Sequence, residues 1–187
     1  MGRMGEPVVS IAYEARPEFE KERAYRPFLD RIYAERGCTV ERVNGRANRN
    51  YDLLLDGVPT EEKRTPHGRC EVAFEILQDV AGLATAKWDA YSPTAVVPLT
   101  AIGNQFITKA LQQIWYVETD EGTAVGVWWV DSCKLLAHYL TADNFKTYKT
   151  YTVTTGFGLT ICARIPLLPL RNIGIADQWW APQGSLF

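Results

Sequence analysis

Cysteine is scarce in this chain and no two cysteines lie close together. Cys38, Cys70, Cys133 and Cys162 form no C-x-x-C pair, so neither a zinc framework nor a disulfide scaffold is indicated, and four buried free thiols are expected. Histidine is scarcer still: His67 and His138 are too far apart in pattern for a zinc or acid–base pair, and each is expected to be structural. Long apolar runs are missing as well. Stretches such as TAVGVWWV at 123–130 fall well short of the roughly 20 residues of a membrane-spanning helix. The opening MGRMGEPVV has no apolar core of the secretory kind, so a cytoplasmic protein without a membrane partner is expected. Neither charge sign dominates. A net charge of -2 argues against a protein that coats nucleic acid by bulk electrostatics.

What is present suits one globular domain. The 187 residues are 47% apolar and 22% charged, enough for a real core, and no repeat, low-complexity segment or early linker divides them. The expected organisation is a single domain over 1–176 and a tail over 177–187.

RPEFEKERAYRPFLDRIYAERG (16–37) reads as a helix: Pro17 suits a first turn, Phe28, Leu29, Ile32 and Tyr33 form a stripe, and Gly37 ends it. Pro27 predicts a kink or a split. CTVERV, YDLLLD, VPTEEKR and CEVAFEIL follow as strands between Gly and Pro punctuation, with NGRANRN as a loop. EVAFEIL suits a strand by its β-branched and aromatic content, a short helix being the alternative. A short helix is expected in GLATAKWDAYS, and a hairpin from IWYVET and TAVGVWWVD around DEG. Asp131 or Ser132 can cap a helix whose Leu135, Leu136, Tyr139 and Leu140 make an apolar face, and YKTYTVTT and LTICARIPL give two more strands around GFG. The tryptophans, Trp128 and Trp129 included, are mostly core by pattern. The elements add up to an α/β domain.

The charges in YDLLLDGVPTEEK (51–63) need an explanation, because a carboxylate beside an interior strand is costly unless it is paired or holds a metal. Alternate residues of a strand share a face, so Glu61 and Lys63 point together and Glu62 points away to solvent. If Asp56 and Gly57 turn the chain into a hairpin, Asp52 meets Glu61. Two carboxylates, with waters and a phosphate oxygen, suit Mg²⁺. A lysine beside them can orient or deprotonate an attacking water, or stabilise charge on a phosphate. The alternative is a surface hairpin with TEEKR solvated. Arg42, Arg46, Arg49, Arg64, His67 and Arg69 make this the most basic neighbourhood of the chain.

Asp52, followed by Glu61 and Lys63, resembles the D…(D/E)-x-K signature of the PD-(D/E)XK, or restriction-endonuclease-like, nuclease superfamily. The expected order also resembles it, with a helix before the Asp strand and E-x-K on the hairpin partner. VAFEILQDVAGLATAKWDAY is similar to the strand, Gly and Thr-x-x-x-Asp helix pattern that follows the lysine in some phage and bacterial members. Tyr51 stands where Pro is usual before the Asp, and Pro59 and Thr60 make the second strand less apolar than is typical. The resemblance implies a central mixed β-sheet flanked by helices, with Asp52 and Glu61 binding Mg²⁺ or Mn²⁺ and Lys63 assisting the water that hydrolyses DNA. Two further acids are candidate ligands. Members often place an acid from the first helix in the site, which points to Glu22, although Pro27 disturbs its phase with the inward face. Glu75, on a strand expected beside the E-x-K strand, faces either solvent or the site. Gln78 is a candidate substrate contact, and Arg46, Arg49, Arg64, His67, Arg69 and Lys87 are candidate phosphate contacts.

The end of the chain, DQWWAPQGSLF, finishes on apolar Leu186 and Phe187, with Pro182 and Gly184 favouring an extended peptide. QGSLF is similar to the bacterial sliding-clamp-binding pentapeptide Q-x-(S/D)-L-F, which implies that Gln183, Ser185, Leu186 and Phe187 contact a clamp. The alternative is a tail folded back so that Trp179, Trp180 and Phe187 cap the core. Together these features lead to the expectation of a metal-dependent DNA nuclease of replication, repair or recombination, recruited by a sliding clamp. A catalytically inactive DNA-binding or clamp-binding module of the same fold is the alternative. RNA as substrate sits poorly with the clamp-like tail, and a homodimer is compatible with the sequence.

Overall fold

The computed structural model of the chain describes residues 17–43, 51–77, 109–155 and 158–184. Helix α1 (Pro17–Glu35) runs through Pro27 as one element rather than splitting there. A proline inside a helix costs about 3 kcal/mol. Tyr25, Leu29, Ile32 and Tyr33 recur on one face and are all buried, and at roughly 1.5–3 kcal/mol for each large apolar side chain they outweigh that loss. Gly37 ends the helix at φ 72°, a left-handed conformation that lets the Cys38 N–H reach the Tyr33 carbonyl at 2.9 Å.

Three strands follow as an antiparallel meander: β1 (Val40–Arg42), β2 (Leu53–Leu55) and β3 (Val58–Thr65). After β4 (Glu71–Leu77), strand β5 (Gln112–Glu118) lies parallel to β3 and forms a hairpin with β6 (Ala124–Asp131). Helices α2 (Ser132–Tyr139) and α3 (Ala142–Thr147) lead to the hairpin of β7 (Thr150–Thr155) and β8 (Gly158–Pro166). Helix α4 (Leu167–Asn172) and β9 (Ala176–Trp180) are the last elements among the described residues. The larger sheet is mixed but mostly antiparallel, in the order β1-β2-β3-β5-β6-β9, and a second, antiparallel sheet has the order β4-β8-β7.

The strand periodicity dictates three layers. Ile114, Tyr116 and Val127 pack with Leu53 and Leu55 against the buried face of α1. Trp115, Val117, Trp128 and Val130, one residue out of phase with these, pack against Val72, Phe74 and Ile76 of β4 and against Leu135 and Tyr139 of α2. Strands β5 and β6 are therefore apolar on both faces, as their near-continuous hydrophobic sequences require.

Several expectations hold. EVAFEIL is a strand, the DEG hairpin forms, and the Asp131 Oδ1 accepts the Lys134 N–H at 2.9 Å to cap α2. Others need correction. Strand β4 is not a sheet neighbour of β3; it pairs with β8 in a second sheet that periodicity alone does not announce. Residues 176–180 form β9 and pair with β6. Of the four thiols only Cys162 is buried, and Cys133 is exposed. Leu140 lies 47% exposed just past α2 instead of joining its apolar face. No helix among the described residues is long and apolar enough to cross a membrane. The NGRANRN loop and the helix expected in GLATAKWDAYS lie outside the described residues.

Candidate active site

The hairpin between β2 and β3 closes on Leu55 and Val58, leaving Asp56 (φ 53°) and Gly57 (φ 77°) as its turn. Two successive left-handed residues match the twist of the flanking strands, and Asp-Gly is the pair best able to adopt them. Asp56 is committed there, its Oδ1 accepting from the Thr39 N–H at 2.7 Å and the Thr39 hydroxyl at 3.1 Å. Those bonds hold its carboxyl below the usual range. The register then brings Asp52 against β3: its N–H donates to the Thr60 carbonyl at 2.9 Å, and its Oδ2 accepts the Glu62 N–H at 2.7 Å.

Glu61 and Lys63 share the face of β3 that looks toward the second sheet. Lys63 Nζ lies 2.6 Å from Glu61 Oε1 and 4.0 Å from Glu75 Oε1. Glu75 thus reaches the site, but from the edge strand of the other sheet. Burial works to lower the Lys63 ammonium, and the Glu61 and Glu75 carboxylates more than reverse this, holding it above the ordinary lysine range. Asp52 is reached by solvent, yet the protein crowded around its carboxyl, and then the charge of Glu61, push it up to about 6. The Glu62 N–H and Lys63 oppose that rise. Gln113 pairs with Glu61 across the parallel strands, fully buried, and the Trp115 indole N–H donates to its Oε1 at 2.9 Å. Sequence reasoning missed Gln113, for which the one available signal is an amide at the start of the apolar run IWYV in QQIWYVE.

The opposite face of β3 overturns one expectation. Glu62 is not solvated: it is 7% exposed and enclosed under α1. Its Oε1 accepts from the Tyr33 hydroxyl at 2.9 Å and from Arg42 Nη2 at 3.2 Å, and its Oε2 accepts from Arg42 Nη1 at 2.9 Å. Arg26 Nε stands 3.9 Å away, and Arg42 also donates to Asp30 Oδ1 at 2.5 Å. Alternation separated Glu62 from Glu61 correctly. It could not tell that both faces of this sheet are covered.

The basic candidates divide. Arg64 shares the Glu62 face and donates from Nε to Glu118 Oε1 at 2.5 Å, so it does not join Glu61 and Lys63. His67, in the exposed turn after β3, is paired with Asp120. Arg69 is exposed, with Nη1 3.9 Å from Glu71. His138, on α2, has its Nε2 2.7 Å from the Tyr148 hydroxyl. Arg46, Arg49, Gln78, Lys87, Ser185, Leu186 and Phe187 lie outside the described residues, as does the side chain of Glu22 within α1. Trp179 and Trp180 do lie back on α1, Trp180 edge-on to Phe28 at 4.9 Å and Trp179 beneath the Arg36 guanidinium at 4.5 Å. Gln183 and Gly184 beyond them are exposed.

Among the described residues no group of three or more His, Cys, Asp or Glu side chains is arranged to hold a metal ion. Burial, and after it the charge of Glu61, raise the Asp52 carboxyl, and a dication held between the two acids would relieve that repulsion. Mg²⁺ is commonly held by one or two carboxylates, with waters and substrate oxygens completing its shell, so the residues present fit it. No family model, curated protein or solved structure matches this chain.

Proposed function

We propose that the chain is a divalent-metal-dependent DNA nuclease with a restriction-endonuclease-like core. The observation that carries this reading is the convergence of Asp52, Glu61 and Lys63 on one hairpin, with Lys63 2.6 Å from Glu61. The order of a helix, the Asp52 strand, its hairpin partner and a mixed sheet supports it. Asp52 and Glu61 would hold Mg²⁺ or Mn²⁺, which would supply Lewis acidity toward the attacking water and the phosphate. Lys63, kept charged by Glu61 and Glu75, acts as a hydrogen-bond donor to the attacking water or the phosphate oxygens, not as a base. Glu75 orients that ammonium. His67 and Arg69, on the turn after β3, supply sequence-independent phosphate contacts.

Recruitment by a bacterial-type sliding clamp extends the same reading. Exposed Gln183 and Gly184 just beyond the sheet leave the QGSLF peptide accessible at its start, and replication or repair in the cytoplasm is the setting that follows. A second reading, a DNA- or clamp-binding module without catalysis, is favoured by the close Lys63–Glu61 pair, which occupies one would-be metal ligand. Cleavage of single-stranded, duplex, flapped and branched DNA with Mg²⁺ or Mn²⁺ separates the two. Activity on any substrate that vanishes in Glu61→Ala supports the enzyme, and inactivity on all of them supports the module. Removal of residues 183–187 is expected to eliminate clamp binding and leave cleavage of bare DNA unchanged.

A further inference from the structure

The most heavily bonded carboxylate around the candidate site is the one its chemistry does not use. Glu62 sits between Glu61 and Lys63 in sequence, and its side chain is turned to the other face of β3. There it is held by Tyr33 and Arg26 from α1 and by Arg42 from β1, with Asp30 of α1 completing the charge balance. Burial and the Glu62 carboxylate keep the Tyr33 phenol well above its ordinary range, so it remains a donor. The main chain of the same residue faces the site, its N–H 2.7 Å from Asp52 Oδ2.

A buried carboxylate of this kind is rarely a gain in stability over an apolar residue of similar size, because desolvation offsets the ionic attraction. What it does provide is direction: a planar guanidinium fork and a phenol admit one carboxylate position and few others. Fixing the Glu62 side chain fixes the pleat of β3 at the single residue that separates Glu61 from Lys63. It also fixes the N–H that holds Asp52.

Resting on the nuclease reading above, we propose that Glu62 is a positioning residue, clamped by Tyr33 and Arg42, that sets Asp52, Glu61 and Lys63 in the geometry needed to bind a divalent cation. Helix α1 and strand β1 serve as its abutment. Neither element contributes a described side chain to the Glu61–Lys63–Glu75 cluster, yet both decide where that cluster stands. The clamp makes the site sensitive to changes made on the far side of the sheet.

The test uses the full chain carrying Glu62→Gln, Arg42→Lys or Tyr33→Phe, with folding at the assay temperature checked by circular dichroism. Mn²⁺ binding to metal-free protein is measured by electron paramagnetic resonance, and kcat and KM are measured on a cleaved DNA. Outer-layer partners of metal ligands typically contribute 10–100-fold to affinity, so Mn²⁺ binding is expected to weaken by about that factor in Glu62→Gln and Arg42→Lys. It weakens less in Tyr33→Phe, and kcat falls while KM for DNA holds. Folded variants that melt earlier but bind Mn²⁺ as the parent does would overturn the proposal, leaving Glu62 a structural residue only. Tyr33→Phe removes a single hydroxyl and carries the test if the other two do not fold. A parent chain that binds Mn²⁺ without cutting DNA overturns the nuclease reading instead, while the Mn²⁺ comparison still decides the role of Glu62.

Discussion

Strand β3 carries acid and base on both of its faces, and the two faces treat them differently. On one, Glu61 and Lys63 meet Asp52 and Glu75 in a cluster that solvent reaches through Asp52. On the other, Glu62 is sealed beneath α1 and saturated by Tyr33 and Arg42, and Arg64 is matched to Glu118. The sealed face has its charges nearly balanced within hydrogen-bond distance. The open face does not: burial and then the charge of Glu61 raise the Asp52 carboxyl, and the proposed cation would relieve that repulsion. Identical residue types thus become a solvent-reached cluster or a structural strut according to what covers them.

Substitutions on either side of the strand break this comparison in different currencies, beginning with the largest effect. Glu61→Ala and Lys63→Ala are expected to lower cleavage by roughly 10²–10³-fold or more with little change in melting temperature, measured by steady-state kinetics and calorimetry. Glu62→Ala should do the reverse of what a solvated residue would. Removing one partner of a buried ion pair costs about 3–5 kcal/mol, to be read from urea unfolding. A loss below about 0.5 kcal/mol, the usual result at a free surface position, would show that the sealed face is not sealed.

The pH response sharpens the contrast further. In the folded chain burial and then the Glu61 charge push the Asp52 carboxyl up to about 6 from its ordinary 3.8. The folded state therefore keeps its proton over that window while the unfolded state has lost it, and the Asp52 contribution to stability declines as pH rises from 3.8 to 6. Cation binding runs the other way, because a proton competes for the same carboxylate. Mn²⁺ affinity is expected to be level above pH 6 and to fall by about tenfold per unit below it, as followed by paramagnetic resonance. Smallest in its effect on the open face, Arg64→Ala strips the partner from Glu118, itself 7% exposed, and is expected to lower stability by up to a few kcal/mol while leaving Mn²⁺ affinity unchanged. A drop in affinity would mean the two faces are not independent.

Much of the larger sheet was legible because strand signals are local. Alternation, Gly and Pro punctuation and the Asp56–Gly57 turn were sufficient for the β2–β3 hairpin, and the DEG hairpin and the Asp131 cap followed in the same way. The candidate site was half legible for the same reason: a two-residue turn dictates register, and register brings Asp52 to Glu61. Glu75 and Gln113 were harder to place. Glu75 arrives from a second sheet and Gln113 from a strand about fifty residues on, and nothing in the neighbouring sequence encodes either approach.

The sequence by itself determined which residues of 51–63 share a face, since the side-chain period of a strand is a property of the backbone alone. Only the tertiary structure decided what each face meets. Strand β4 had to pair with β8 instead of β3 to bring Glu75 within 4.0 Å of Lys63. Helix α1 had to pass through Pro27 unbroken to lay Tyr33 over Glu62. Whether a carboxylate is solvated, paired or free to take a cation depends on its surroundings in three dimensions, and those are assembled by side-chain burial between segments remote in the chain.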